Sequence, residues 1–119
     1  EQFARRIVPD ATLLFRYSAL TFNGHRIHYD YPYVTEVEGY PGLIVHGPLI
    51  ATLLLDELRI QCPDAHIKAY EFKAVSPLFH HQTFEVCGRI DDDSNGKIAT
   101  LWARNHAGNL AMQATAVLG

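Results

Sequence analysis

The chain has 119 residues, 48% of them hydrophobic and 19% charged, which suits one packed domain and excludes a disordered segment. Ten Lys plus Arg against thirteen Asp plus Glu give a net charge of −3 with no block of like charge, so a nucleic-acid partner is disfavoured. Its apolar runs are a few residues long, far short of the roughly 20 that cross a bilayer, and a membrane span is not expected.

Two cysteines, Cys62 and Cys87, stand in no CxxC or zinc-type spacing. A reducing compartment is therefore predicted: the cytoplasm, with the mitochondrial matrix as the alternative. The first residue is Glu1, and no basic segment followed by an apolar one marks a secretory precursor.

In chain order, Phe3 to Val8 reads as a strand. Tyr17 to Asp30 is too polar and irregular for core and reads as a site loop. Asp30, followed by Tyr31-Pro32-Tyr33 with Glu36 and Glu38, reads as a short capped helix ending at Gly39. Gly47-Pro48 then opens the one long helix, because proline fits the first helical position, where a missing N–H costs nothing. Leu49, Ile50, Leu53, Leu54, Leu58 and Ile60 recur at helical spacing; Asp56, Glu57 and Arg59 give a polar side; Cys62-Pro63 marks the stop.

Beyond the helix the period changes to two. Strands are predicted around Tyr70–Ala74, Thr83–Ile90, Ile98–Ala103 and Asn109–Leu118, separated by turn signals at Ser76-Pro77, Asp93-Ser94-Asn95-Gly96 and His106-Ala107-Gly108-Asn109. The predicted fold class is α+β: one antiparallel sheet wrapped around one long central helix, residues 1–119 forming a single domain.

The loop run Arg16-Tyr17-Ser18-Ala19-Leu20-Thr21-Phe22-Asn23-Gly24-His25-Arg26-Ile27-His28-Tyr29-Asp30, together with Ile44-Val45-His46-Gly47, resembles the hot-dog-fold hydratases and dehydratases of the MaoC-like (R)-specific enoyl-CoA hydratase family. The family pattern runs Tyr, two residues, an aliphatic, a small residue, Gly-Asp, one residue, Asn-Pro, an aliphatic, then His. Tyr17, Leu20, Thr21, Ile27 and His28 fall on it. Phe22 stands for the Gly, Asn23 for the catalytic Asp, His25 for the Asn and Arg26 for the Pro. These departures resemble one branch: mesaconyl-C4-CoA and itaconyl-CoA hydratases and fungal mitochondrial 3-hydroxyacyl-thioester dehydratases. In that branch such a domain is usually the C-terminal half of a double hot-dog protein. Phe72-Lys73-Ala74-Val75-Ser76-Pro77 matches the family's strand and turn after the central helix. The resemblance implies water addition to, or removal from, an acyl-CoA thioester.

That chemistry assigns roles to residue types. Adding water to a 2-enoyl thioester needs a base for the water proton, a donor for the enolate oxygen and a proton for C2. Imidazole moves protons near neutrality, which makes His28 the candidate base. Asn23, five positions earlier, cannot be a base, but its amide can hold or polarise water, and Gly24 permits the bend between them. Asn-Gly is equally a turn signal, and an Asx turn is the competing reading. Gly47, at the helix start, offers a backbone N–H to the enolate oxygen. Arg16, Arg26, Tyr17 and His46 are candidate substrate-binding residues, the arginines for a substrate carboxylate or coenzyme A phosphates. His80-His81 and the His25/His28 pair lack a metal-binding pattern, so neither metal nor cofactor is expected.

A second lobe is expected to complete the site, as a homodimer or as a second hot-dog lobe, because one sheet leaves its edges open. The rival functions are a hot-dog thioesterase, for which Glu36 and Glu38 are the available carboxylates, and a non-catalytic acyl-binding lobe.

Overall fold

The computed structural model describes residues 1–93 and 96–119. Strand β1 (Phe3–Ile7) leads into helix α1 (Ala11–Leu20), a 3-10 turn (Arg26–His28), a π-type turn (Tyr33–Val37) and helix α2 (Gly47–Gln61). Strands β2 (Ile67–Ala74), β3 (Phe84–Asp93), β4 (Gly96–Asn105) and β5 (Leu110–Leu118) follow. All pairings are antiparallel, in the order β1-β3-β4-β5-β2. This is the expected sheet wrapped about a central helix.

Helix α2 forms where the sequence predicts. Its buried residues are Leu49, Ile50, Ala51, Leu54, Glu57 and Leu58. They face a lining of small residues, with Ala99 and Ala103 on β4 and Ala114 and Ala116 on β5 all buried. Short side chains on the sheet let the helix sit close, so that its leucines fill the concave face. Two details differ from expectation. Ile60 is exposed, since two positions beyond the buried Leu58 it points to the opposite side of the helix. Glu57 is buried rather than solvated, because Arg5 of β1 reaches across with Nε 2.6 Å from its carboxylate; a charge is tolerated there only because it is paired.

The turn after Asp30 forms as expected, with the Asp30 carboxylate accepting from Tyr33 N at 3.1 Å and Gly39 at φ +77°. Its wider π-type winding was not foreseen. Of the predicted turns, Ser94 and Asn95 lie outside the described residues; the strands flanking them pair as far as Asp93 with Gly96. Both cysteines are free. Among the described residues no helix is long and apolar enough to cross a membrane.

One correction bears on the site. Tyr17 to Leu20 are not loop: they form the end of α1, whose buried residues are Leu14 and Ser18.

Candidate active site

Helix α1 starts because Asp10 caps it, its side chain accepting from Leu13 N at 2.7 Å. Leu13, Leu14, Tyr17 and Ser18 share the face turned inward, at the three- and four-residue spacing of one helical stripe. The helix stops in a paired-bond cap: Phe22 N donates to Ala19 O at 3.3 Å and Asn23 N to Ser18 O at 2.8 Å. Phe22 sits at φ +54°, in the left-handed region that favours glycine. The family pattern has glycine at this position.

The chain then doubles back. Asn23 Oδ1 accepts from His25 N at 3.0 Å, which is an Asx turn, and Tyr29 Oη donates to Gly24 O at 2.9 Å. The 3-10 turn carries His28 inward until it is 8% exposed. Ile44 N donates to Ile27 O, while Val45 N donates to Leu78 O and His80 N to Leu43 O, each at 2.9 Å. These bonds fix the segment before α2 and with it the Ile44 carbonyl.

That carbonyl orients the candidate base. His28 Nδ1 lies 2.7 Å from Ile44 O, and since a carbonyl only accepts, Nδ1 carries the proton and Nε2 keeps its lone pair. His46, the residue capping α2, stacks on the His28 ring with centroids 3.7 Å apart and planes 17° from parallel. Ser18 Oγ lies 2.7 Å from His46 Nε2. Tyr17 meets His46 edge-on at 4.7 Å, and His25 meets His28 edge-on at 5.8 Å.

Burial pushes both imidazoles below their ordinary values. For His46, burial and then His28 bring it down to about 4. For His28, burial outweighs the Ile44 carbonyl, and His25 adds to the lowering. Both rings are therefore neutral at neutral pH, the state in which an imidazole can accept a proton.

Gly47 follows His46 directly and carries the first amide of α2, one of the N–H groups a helix leaves without an internal partner. A Cβ there would meet only the Met112 methyl, at 4.0 Å, so the space before that amide is open. Gly47 lines a hollow of about 330 Å³ with Val45, Ile50, Val75, Ala111 and Met112. Asn23 lines a different one, also about 330 Å³, with Phe15, Ser18, Phe22 and Tyr29. The histidine pair links the two: His46 adjoins Gly47 in sequence and bonds to Ser18, which faces the second hollow.

The remaining expected residues are arranged unequally. Tyr17 is half-buried against the pair, and Arg16 is exposed on α1. Arg26 is engaged elsewhere, its guanidinium 2.9 Å from the Asp30 carboxylate and 4.1 Å from the centre of the Tyr33 ring. His80 Nδ1 accepts from Leu43 N at 3.0 Å. Among the described residues no group of three or more His, Cys, Asp or Glu side chains converges as a metal site. The residue that sequence reasoning missed is Ser18. Its spacing from Leu14 on a helix capped by Asp10 was the available signal.

Comparison with known proteins decides the lineage. The family model for hydroxyacyl-thioester dehydratase type 2 matches residues 1–80. The chain belongs to that family. It is 46% identical to the mesaconyl-C(4)-CoA hydratase of Chloroflexus aurantiacus over all of its own length and 41% of that protein. It is 41% identical to the mitochondrial hydroxyacyl-thioester dehydratase type 2 of Schizosaccharomyces pombe over 66% of its length and 27% of that protein. The chain thus spans less than half the length of these relatives. Among solved structures, the (R)-hydratase of A. caviae involved in PHA biosynthesis superposes with a TM-score of 0.87 at 19% identity, covering 98% of this chain and 91% of that one. The fold of this dehydratase-family chain is accordingly the hot-dog fold.

Proposed function

We propose that the domain catalyses reversible hydration of a 2-enoyl-CoA thioester, or dehydration of the 3-hydroxyacyl thioester, as a hydro-lyase. One observation carries the reading: His28 is a neutral, oriented imidazole whose Nδ1–H is committed to Ile44 O, which leaves Nε2 free to act as a base.

In the hydration direction His28 Nε2 takes a proton from water as the oxygen bonds to C3. The C2–C3 electron pair moves onto the thioester carbonyl oxygen, which accepts from Gly47 N–H at the positive end of α2. The enolate collapses as C2 takes back the proton held on His28 Nε2, which restores the neutral imidazole, and the net addition is H to C2 and OH to C3. Asn23 has its side-chain oxygen engaged by His25 N and keeps its NH2 group to hold the water. No cofactor enters the scheme.

The acyl group in this proposal carries a free carboxylate, as mesaconyl and itaconyl groups do, read by Arg16 or Arg26. Arg26 already has Asp30 as its partner, so Arg16 is the first of the two to test. Tyr17 contributes to the substrate-facing wall, and His46 acts from behind His28. A second hot-dog lobe, from a copy of this chain or from another segment, completes the site; the open edges of β1 and β2 support this. We assign the protein to the cytoplasm, with the mitochondrial matrix as the alternative.

The test is a parallel assay of the purified protein on crotonyl-CoA, mesaconyl-C4-CoA and itaconyl-CoA, following the enoyl absorbance and, with a thiol reagent, CoA release. Loss of enoyl absorbance without thiol release supports hydration. Thiol release would identify a thioesterase, and neither signal a non-catalytic lobe.

A further inference from the structure

Ser18 has no task in the scheme above, and how His46 acts on His28 is not specified there, yet both side chains are buried and bonded to each other. His46 is 1% exposed. Its Nε2 is held by Ser18 Oγ at 2.7 Å, while its Nδ1 is buried without a partner. A buried N–H with no acceptor is costlier than a bare lone pair, so the proton sits on Nε2 and is donated to Ser18 Oγ. A second proton on Nδ1 would bury a charged donor with nothing to receive it. The ring is thus held in one tautomer and one charge state, flat against His28 at 3.7 Å.

We infer that Ser18 and His46 are positioning residues that act through His28, Ser18 fixing the His46 ring and His46 clamping the plane of the His28 imidazole. The inference rests on the proposed role of His28 as the base. Two tethers define that ring: the Ile44 carbonyl restrains it at Nδ1, and His46 covers one face. Together they leave Nε2 a single direction in which to point. A base held in a productive orientation gains rate without any new contact to substrate, and a misplacement of about 1 Å can cost roughly 10²-fold.

The clamp also sets the surroundings in which His28 titrates. The ionisable side chains against the pair are His25, edge-on to His28, and Tyr17, edge-on to His46. Neighbouring Arg26 is bound to Asp30. Among the described residues no carboxylate pairs with either imidazole, so burial dominates, and His46 supplies one whole face of it. Removing that face admits water and lets His28 return toward its ordinary value.

The experiment compares wild type with Ser18→Ala, Ser18→Thr and His46→Ala, reading kcat and KM, the acid limb of kcat/KM, and an NMR titration of the His28 ring that needs no substrate. The expected result is a fall in kcat of about 10-fold or more for Ser18→Ala and His46→Ala with KM little changed. Their acid limb and the His28 NMR titration should move together to higher pH, and Ser18→Thr, which keeps the hydroxyl, should restore wild-type behaviour. If His46→Ala fails to fold, Ser18→Ala, which removes one oxygen, carries the test. Variants with a lower Tm but an unmoved acid limb and an unmoved His28 titration would overturn the inference. If wild type hydrates none of the thioesters, the functional proposal fails; the NMR titration still decides whether His46 and Ser18 control the His28 ring.

Discussion

The backbone amide of Asn23 donates to the carbonyl of Ser18 at 2.8 Å, so the residue where the family pattern has aspartate is tied to the residue that holds His46. The bond can form only because Phe22, between them, adopts φ +54°. For an L-residue that conformation costs roughly 1–2 kcal/mol, and the Phe22 side chain is 95% exposed, so little packing offsets it.

Phe22→Gly should therefore raise stability by about 1 kcal/mol, the relief of strain exceeding the added flexibility of the unfolded chain. Phe22→Ala should change little, because it keeps the strained backbone and removes only an exposed ring. Denaturant midpoints of the two variants test this, and a loss of stability in the glycine variant would mean that the ring has a packing role.

His46 makes stability depend on pH. Its value falls from 6.5 when unfolded to about 4 when folded, so between these limits the unfolded chain binds more protons than the folded one. The contribution of this group is complete above pH 6.5, declines as pH falls, and is lost once pH passes below about 4. Denaturant midpoints measured across that window should fall with pH in wild type and fall less steeply in His46→Phe. Parallel slopes would show that His46 is not buried in its neutral form.

The arginines distinguish substrate charge from coenzyme charge. Arg16→Met should lower kcat/KM by roughly 10- to 150-fold on a dicarboxylic substrate, corresponding to about 1.5–3 kcal/mol for a charge-assisted contact, and far less on crotonyl-CoA. Arg26→Met should have the smaller effect, because its guanidinium already faces Asp30. Equal losses on both substrates would assign the arginines to coenzyme A phosphates.

Helix α2 and the sheet were legible because each is written in one period. Pro48 opens an apolar helical stripe, and β4 and β5 alternate apolar and polar residues down to the alanines beneath the helix. Helix α1 was not, because Tyr17 and Ser18 put polar groups on its inward face and the exposed Arg16 stands beside them, so the run mimics a polar loop. Its inward side becomes evident only when Ser18 meets His46, which lies 28 residues away in sequence. The partner of Glu57 escaped for the same reason, since Arg5 arrives from a strand distant in sequence; that of Arg26 escaped although it is only four residues away, because Asp30 is read as a helix cap. His28 is the candidate base on chemistry and motif together, whereas its orientation depends on the Ile44 carbonyl, a backbone group with no sequence signature.

The most direct measurement is steady-state turnover of His28→Ala on a 2-enoyl-CoA substrate, with Tm recorded alongside. The loss of a general base predicts a fall of roughly 10² to 10⁴ in kcat in a protein that remains folded. Retention of more than about half the activity, when even the weakest general-base contribution is about 10², would contradict the account.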